Sequence, residues 1–255
     1  MKKHLPALLL VTLLLTASYL LGRPAPVHAP AAKQPTKASV APAPKPVATF
    51  NSALYSTDAA ASLWAIVNKQ HPLDPKAYTP ADLVVPTLPL RANITASEKY
   101  LRGDMATALE TLAAAAAADG VTLNLQSGYR SYVFQTNLYN RYVQQQGQAV
   151  ADTQSARPGF SEHQTGLAAD LGGTTNPACN VAQCYATTVE GKWLAANAYR
   201  FGFIIRYPAD KQAVTGYEYE PWHIRFVGPE LSQEMNTKGI TTLEEFFNVS
   251  GGQNY

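Results

Sequence analysis

From Arg23 to Val47 the chain is largely proline, alanine and lysine, with almost no large apolar residue. Such a stretch cannot bury a core and favours extended, semi-rigid conformations. Whatever folds must therefore come after it, where roughly 205 residues remain beyond the first fifty, enough for one domain with a sizeable core. The expected organisation is an export segment over 1–22, a linker over 23–49 and a folded domain over 50–255. Two readings of the linker stay open: a spacer that holds the domain off a membrane, and a tail with no geometric role.

Ahead of the linker, Lys2 and Lys3 precede an apolar run from Leu5 to Leu21, the pattern of an export signal. Cleavage sites are poor, because Thr16-Ala17-Ser18 falls inside the run and later alanines adjoin prolines. A cleaved signal peptide and an uncleaved membrane anchor over residues 5–21 both remain open; about 17 helical residues reach roughly 25 Å, near the lower limit for a bilayer span. Either way the domain is expected outside the cytoplasm. The first fifty residues hold six basic side chains and no acidic one, which leaves 14 basic against 18 acidic beyond them, a formal charge of −4. A body of that sign lacks the concentrated basic face that phosphate capture needs, so no nucleic-acid partner is expected.

Within the domain, a short helical stretch is expected around Ala59 to Val67, followed by irregular structure where Pro72, Pro75, Pro80, Pro86 and Pro89 recur. Thr95-Ala96-Ser97-Glu98 has capping-box spacing and predicts a helix from there to Ala118, closed by Asp119-Gly120; the alanines from Ala113 to Ala118 suggest close packing. Val121 to Leu125 reads as a strand, Tyr132 to Gln146 as a helix and Gly147 to Gly159 as a polar loop. Further strands are expected at Leu167 to Leu171, Phe203 to Arg206 and Trp222 to Val227. A helix is expected at Val189 to Arg200, and two short helices at the end. Helices and strands mix without βαβ alternation, which is an α+β pattern.

Of the five histidines, His4 lies in the export segment, His28 in the linker and His71 in the Pro-rich entry of the domain, which leaves His163 and His223, both in dense polar settings. Gly166 allows a turn between His163 and Asp170, so an imidazole from a loop and a carboxylate from the next strand can converge, with His223 arriving from another strand. Asp170 lies in the apolar stretch Leu167 to Leu171, where an unpaired carboxylate is costly to bury. A metal would resolve that cost, since catalytic zinc takes three such ligands and keeps a position for water. An arginine partner would resolve it too.

Ser161-x-His163-x-x-Gly166-x-Ala168-x-Asp170, Glu220-x-x-His223 and Ser127-Gly128-Tyr129-Arg130-Ser131, in that set, resemble the VanY-type D-alanyl-D-alanine carboxypeptidases. These are zinc peptidases related in fold to VanX dipeptidases, lysostaphin-type endopeptidases and the hedgehog signalling domain. The resemblance spans roughly Asn68 to Phe247. It implies one Zn²⁺ per chain on His163, Asp170 and His223, with Glu220 as catalytic base and metal-held water as nucleophile. The expected architecture is a single domain whose small central antiparallel sheet carries the zinc site between flanking helices.

The residues support those roles on chemical grounds. A carboxylate near the metal can take a proton from water and return it to the departing amine. Glu162 and Glu218 compete with Glu220 for that role; Glu162 would point away on an extended segment, whereas Glu218 would share a face with Glu220 on a strand, and only the motif separates them. Arg130 is a candidate for both catalysis and substrate binding, pairing with a substrate carboxylate or a developing oxyanion. Ser131, Gln135, Ser161 and Trp222 are further candidates for substrate binding. Cys179 and Cys184 are the only cysteines, and in an exported protein a small-loop disulfide is expected.

The expected activity is therefore zinc-dependent removal of the terminal D-Ala from peptidoglycan stem peptides or their precursors, by a monomer in the bacterial cell envelope. Two rivals are kept: an L,D-carboxypeptidase or endopeptidase acting on neighbouring bonds, and a zinc-bearing module that binds cell-wall peptides without cutting them.

Overall fold

A computed structural model describes residues 50–255; the expected export segment 1–22 and linker 23–49 lie outside the described residues. A two-stranded ribbon pairs β1 (Leu83–Val84) with β2 (Leu101–Arg102), and α1 (Gly103–Ala118) follows it directly. Next come β3 (Leu123–Ser127), α2 (Tyr132–Gln146), α3 (Gln148–Gln154), β4 (Ala168–Gly173), α4 (Val189–Asn197) and β5 (Phe203–Tyr207). The chain ends with α5 (Gln212–Thr215), β6 (Glu220–Phe226), α6 (Pro229–Lys238) and α7 (Leu243–Phe247). Among the described residues no helix is long and apolar enough to cross a membrane.

The four longer strands form one antiparallel sheet in the order β3-β4-β6-β5, so the fold is α+β as the sequence pattern implied. Strand β4 is Ala-Ala-Asp-Leu-Gly-Gly with all six residues buried, and its small side chains let helices approach closely. Leu109 and Leu112 of α1, Leu194 of α4, Leu125, Leu171, Ile224 and Phe226 share the main core. A second cluster places Trp64 against Leu231, Met235 and Leu243, which anchors the entry segment to α6 and α7.

Several local expectations fail for identifiable reasons. The stretch Ala59 to Val67 makes turns rather than a helix, with the consecutive residues Trp64 to Val67 all buried. Its polar groups are used elsewhere: Arg225 donates to the Leu63 and Ala65 carbonyls, and Trp64 Nε1 donates to the Val227 carbonyl. Thr95 to Glu98 is not a helix start. Glu98 accepts from Arg91 Nη2 at 2.8 Å, and α1 begins only at Gly103. Of the six alanines, Ala116 alone is buried, so the run covers an exposed helix face. The polar stretch 147–159 contains α3, whose buried residue is Ala151. The long helix expected at Val189 to Arg200 stops at Asn197 and tightens into a 3₁₀ turn over Ala198–Phe201.

Candidate active site

Strands β4 and β6 pair so that Asp170 lies opposite His223, which places carboxylate and imidazole on one face of the sheet. His163 arrives from the single 3₁₀ turn Glu162–Thr165, and Gly166, at φ 69°, reverses the chain straight into β4. A Cβ on Gly166 would stand 3.1 Å from the Arg102 nitrogen, so this turn has little room for another residue. His163 Nδ1 faces the Gly128 carbonyl at 2.7 Å, which sets Nδ1 as the protonated nitrogen and leaves Nε2 free to face Asp170 Oδ2 at 3.4 Å. His223 Nδ1 lies 3.1 Å from Asp170 Oδ1.

One ligand atom from each of His163, Asp170 and His223 lies within 4.8 Å of the others, and all three residues are buried. Two imidazoles and a carboxylate form a donor set suited to zinc. Burial and the Arg130 charge push His163 below its ordinary range, whereas at His223 burial is outweighed by the carboxylates of Asp170 and Glu162, which push it up to about 9, so a metal would bind there by displacing a proton. Asp170 is held well below the usual carboxylate range, because His163 and Arg130 outweigh the upward push of burial. These residues fit a bound metal.

Glu220 reaches the cluster through an irregularity that the two-residue period of a strand would not predict. Ile205 pairs with Ile224 but Tyr207 pairs with Glu220, so β6 carries extra residues between them. That bulge turns Glu220 onto the face of His223, with Glu220 Oε2 3.5 Å from His223 Nδ1. Burial, with the charges of Asp170 and Glu218 adding to it, pushes the Glu220 carboxyl up to about 8 against the pull of His223. A carboxylate shifted toward neutrality is what general acid-base work requires. Glu218 instead lies before β6, where its Oε1 accepts from Thr153 Oγ1 of α3 at 3.2 Å.

Both sequence readings of the Asp170 environment find a counterpart. Asp170 belongs to the metal-compatible cluster, and its Oδ2 also accepts from Arg130 Nη2 at 2.7 Å and Ser127 Oγ at 2.5 Å. Ser127 reaches it through a second irregularity, between Leu125 and Ser127 of β3. Gly128 makes the turn after β3, where a Cβ would meet the Glu98 carbonyl at 2.9 Å and Leu101 Cδ2 at 2.8 Å. Arg130 Nε has no hydrogen-bond partner and lies 3.6 Å from Glu98 Oε1.

The cluster forms the floor of a cavity of about 500 Å³ whose lining includes Arg130, Gln135, Ser161, Glu220 and Trp222. Gln135 donates to the Ala156 carbonyl at 2.8 Å while its Oε1 stays unpartnered. Ser131 is not brought to the cavity lining: its Oγ accepts from the Phe134 amide and caps α2. Cys179 and Cys184 are disulfide-bonded, and the loop they close presents Val181 and Gln183 to the cavity wall. Sequence reasoning missed Tyr207, whose ring packs 4.8 Å from the His223 ring. It also gave no role to Arg206, Arg225 and Glu244, which with Glu162 make a buried ion cluster beneath the site. The only available signal was an arginine inside each of two apolar strands, Ile204-Ile205-Arg206-Tyr207 and Ile224-Arg225-Phe226.

With this geometry in view, comparison with known proteins is decisive. The family model for VanY, D-alanyl-D-alanine carboxypeptidase, matches residues 98–229. The chain belongs to the VanY family. YodJ of Bacillus subtilis (strain 168), named as a carboxypeptidase, is 41% identical over 186 residues, which cover 73% of this chain and 67% of the relative. Among solved structures, the LdcB LD-carboxypeptidase superposes with a TM-score of 0.70 at 40% identity, over 75% of this chain and 89% of that one. A variant of the D,D-pentapeptidase VanY from a VanB-type vancomycin-resistance cassette, in complex with Zn(II), gives 0.59 at 34% identity, over 74% and 99%. The VanY family thus accounts for a peptidase fold in which the His-Asp-His cluster lies at the base of a substrate-sized cavity.

Proposed function

We propose that the domain is a zinc-dependent D,D-carboxypeptidase, removing the terminal D-Ala from peptidoglycan stem peptides or their precursors outside the cytoplasm. The observation that carries this reading is the convergence of His163, Asp170 and His223 within 4.8 Å, with Glu220 beside them at the base of the cavity. One ion per chain would be held by those three side chains. A bound zinc supplies Lewis acidity, polarising the scissile carbonyl and acidifying water. Glu220 takes the proton from the attacking water and delivers it to the departing amine. Arg130, fixed by Asp170 and Ser127 and with Nε unpartnered, offers positive charge to the peptide's terminal carboxylate or to the developing oxyanion. Gln135 and Ser161, which line the same cavity, hold the peptide end in this reading, with Trp222 as a wall.

A second reading, L,D-carboxypeptidase activity, has in its favour the similarity to LdcB at 40% identity. Both readings need a free chain end, and that requirement is testable apart from the choice of bond. Amidating the carboxyl terminus of a stem peptide is expected to lower kcat/KM roughly 10- to 100-fold, the equivalent of one charge-assisted hydrogen bond of about 1.5–3 kcal/mol. Arg130→Lys is expected to impair cleavage of the free peptide, because an ammonium cannot reproduce the planar fork. Equal cleavage of free and amidated peptides would refute the exopeptidase assignment and leave Arg130 an oxyanion partner only.

A further inference from the structure

Beneath the site, two buried polar atoms face each other without partners. Glu162 Oε2 and His223 Nε2 each lack a hydrogen bond, and they lie 3.7 Å apart. The other oxygen of Glu162 is fully engaged, accepting from Arg206 Nε at 2.8 Å and Arg225 Nη1 at 2.7 Å. Those guanidiniums are themselves pinned. Arg206 makes two bonds to Glu244, at 3.0 and 2.7 Å, and Arg225 donates to the Leu63 and Ala65 carbonyls. All four charged side chains are buried. The imidazole of His223 is in turn flanked by the Tyr207 ring at 4.8 Å and the His163 ring at 4.9 Å.

We propose that Glu162 is a positioning residue for His223: its Oε2 accepts the Nε2 proton and so presents the Nδ1 lone pair to the metal position beside Asp170. The inference rests on the metal reading above and deepens it. The separation of 3.7 Å exceeds a hydrogen bond, but a shift of about half an ångström in either side chain closes it. No other partner for either atom exists among the described residues. Metal-ligating histidines commonly donate their second nitrogen to a carboxylate, which fixes tautomer and ring orientation together. Glu162, adjacent to His163 in sequence, does not compete with Glu220 as a base, because Arg206 and Arg225 hold its Oε1 and its Oε2 faces His223 Nε2.

The test is Glu162→Gln in the full chain, with ¹⁵N-histidine labelling and zinc competition against a chelator. The two guanidiniums claim the single amide oxygen of glutamine, so its NH₂ must face His223 Nε2 and donate. That forces the imidazole proton onto Nδ1, the wrong tautomer for the ligand. Zinc-loaded wild-type protein is expected to show His223 protonated on Nε2 and not on Nδ1 in long-range ¹H–¹⁵N spectra, and Glu162→Gln is expected to bind zinc roughly 10- to 100-fold more weakly per folded molecule. If Glu162 only neutralises Arg206 and Arg225, the variant will melt lower yet keep the wild-type tautomer and zinc affinity, and that result overturns the proposal. Should the variant not fold, the wild-type spectrum decides alone: an unprotonated Nε2 in the zinc-loaded protein overturns it. Wild type that takes up no zinc would refute the metal reading itself, a result distinct from equal loading of wild type and variant.

Discussion

Glu220→Gln is expected to lower kcat by roughly 10²- to 10⁴-fold while leaving zinc content at the wild-type level. The substitution keeps the shape of the side chain and removes only its ability to carry a proton; His163, Asp170 and His223 are untouched. Stability should not confuse the result. Burial and the Asp170 charge push the Glu220 carboxyl up to about 8, so ionising it at neutral pH works against the metal-free fold, and the neutral amide should melt no lower than wild type. Glu218→Gln is the matched control, since that carboxylate accepts from Thr153 on the cavity rim, and near-normal turnover is expected. An inactive Glu218→Gln beside an active Glu220→Gln would reverse the assignment of the base.

The largest effect on stability is expected at Arg206. It is fully buried between Glu162 and Glu244, and Arg206→Met would leave the two carboxylates in the interior with Arg225 as the one remaining buried guanidinium beside Glu162. Removing one partner from a buried ion cluster typically costs about 3–5 kcal/mol. For a domain of this size that corresponds to a fall in Tm of roughly 6–20 °C. Lys211→Met, which breaks a partly exposed pair with Glu245, should cost no more than about 1 kcal/mol. Thermal unfolding of the three proteins, followed by circular dichroism, checks the difference; comparable Tm values for the two variants would show that the cluster does not hold the sheet together.

What could be read in the sequence, and what could not, follows from how far each feature depends on long-range pairing. The helix Tyr132–Gln146 and the strands around Asp170 and His223 announce themselves through local pattern, and the polar motifs around His163 and His223 mark where chemistry would gather. Gly166 indicates the turn that joins His163 to β4. The bulge in β6 is different: a strict two-residue period would place Glu220 and His223 on opposite faces, and only pairing with β5 displaces it. Glu98 shows the same limit, because its spacing from Thr95 matched a helix cap while its carboxylate serves Arg91. Arg130 was open to several partners in the sequence, and the turn at Gly128 delivers it to Asp170. Glu162 read as a ligand's neighbour pointing away on an extended segment, yet it starts a 3₁₀ turn and is buried where two arginines from β5 and β6 meet it.

Metal-dependent removal of one residue from a free peptide end is the activity expected of this domain. Mass spectrometry of a pentapeptide stem ending in D-Ala-D-Ala, incubated with zinc-loaded protein, with chelated protein and with chelated protein given zinc again, tests it most directly. The predicted result is a product lighter by one alanine in the first and third samples and intact pentapeptide in the second, with a tetrapeptide stem left uncut. Cleavage of the tetrapeptide alone would transfer the activity to the L,D bond; an unchanged pentapeptide in the zinc-loaded sample, or equal cleavage with and without chelator, would contradict the account.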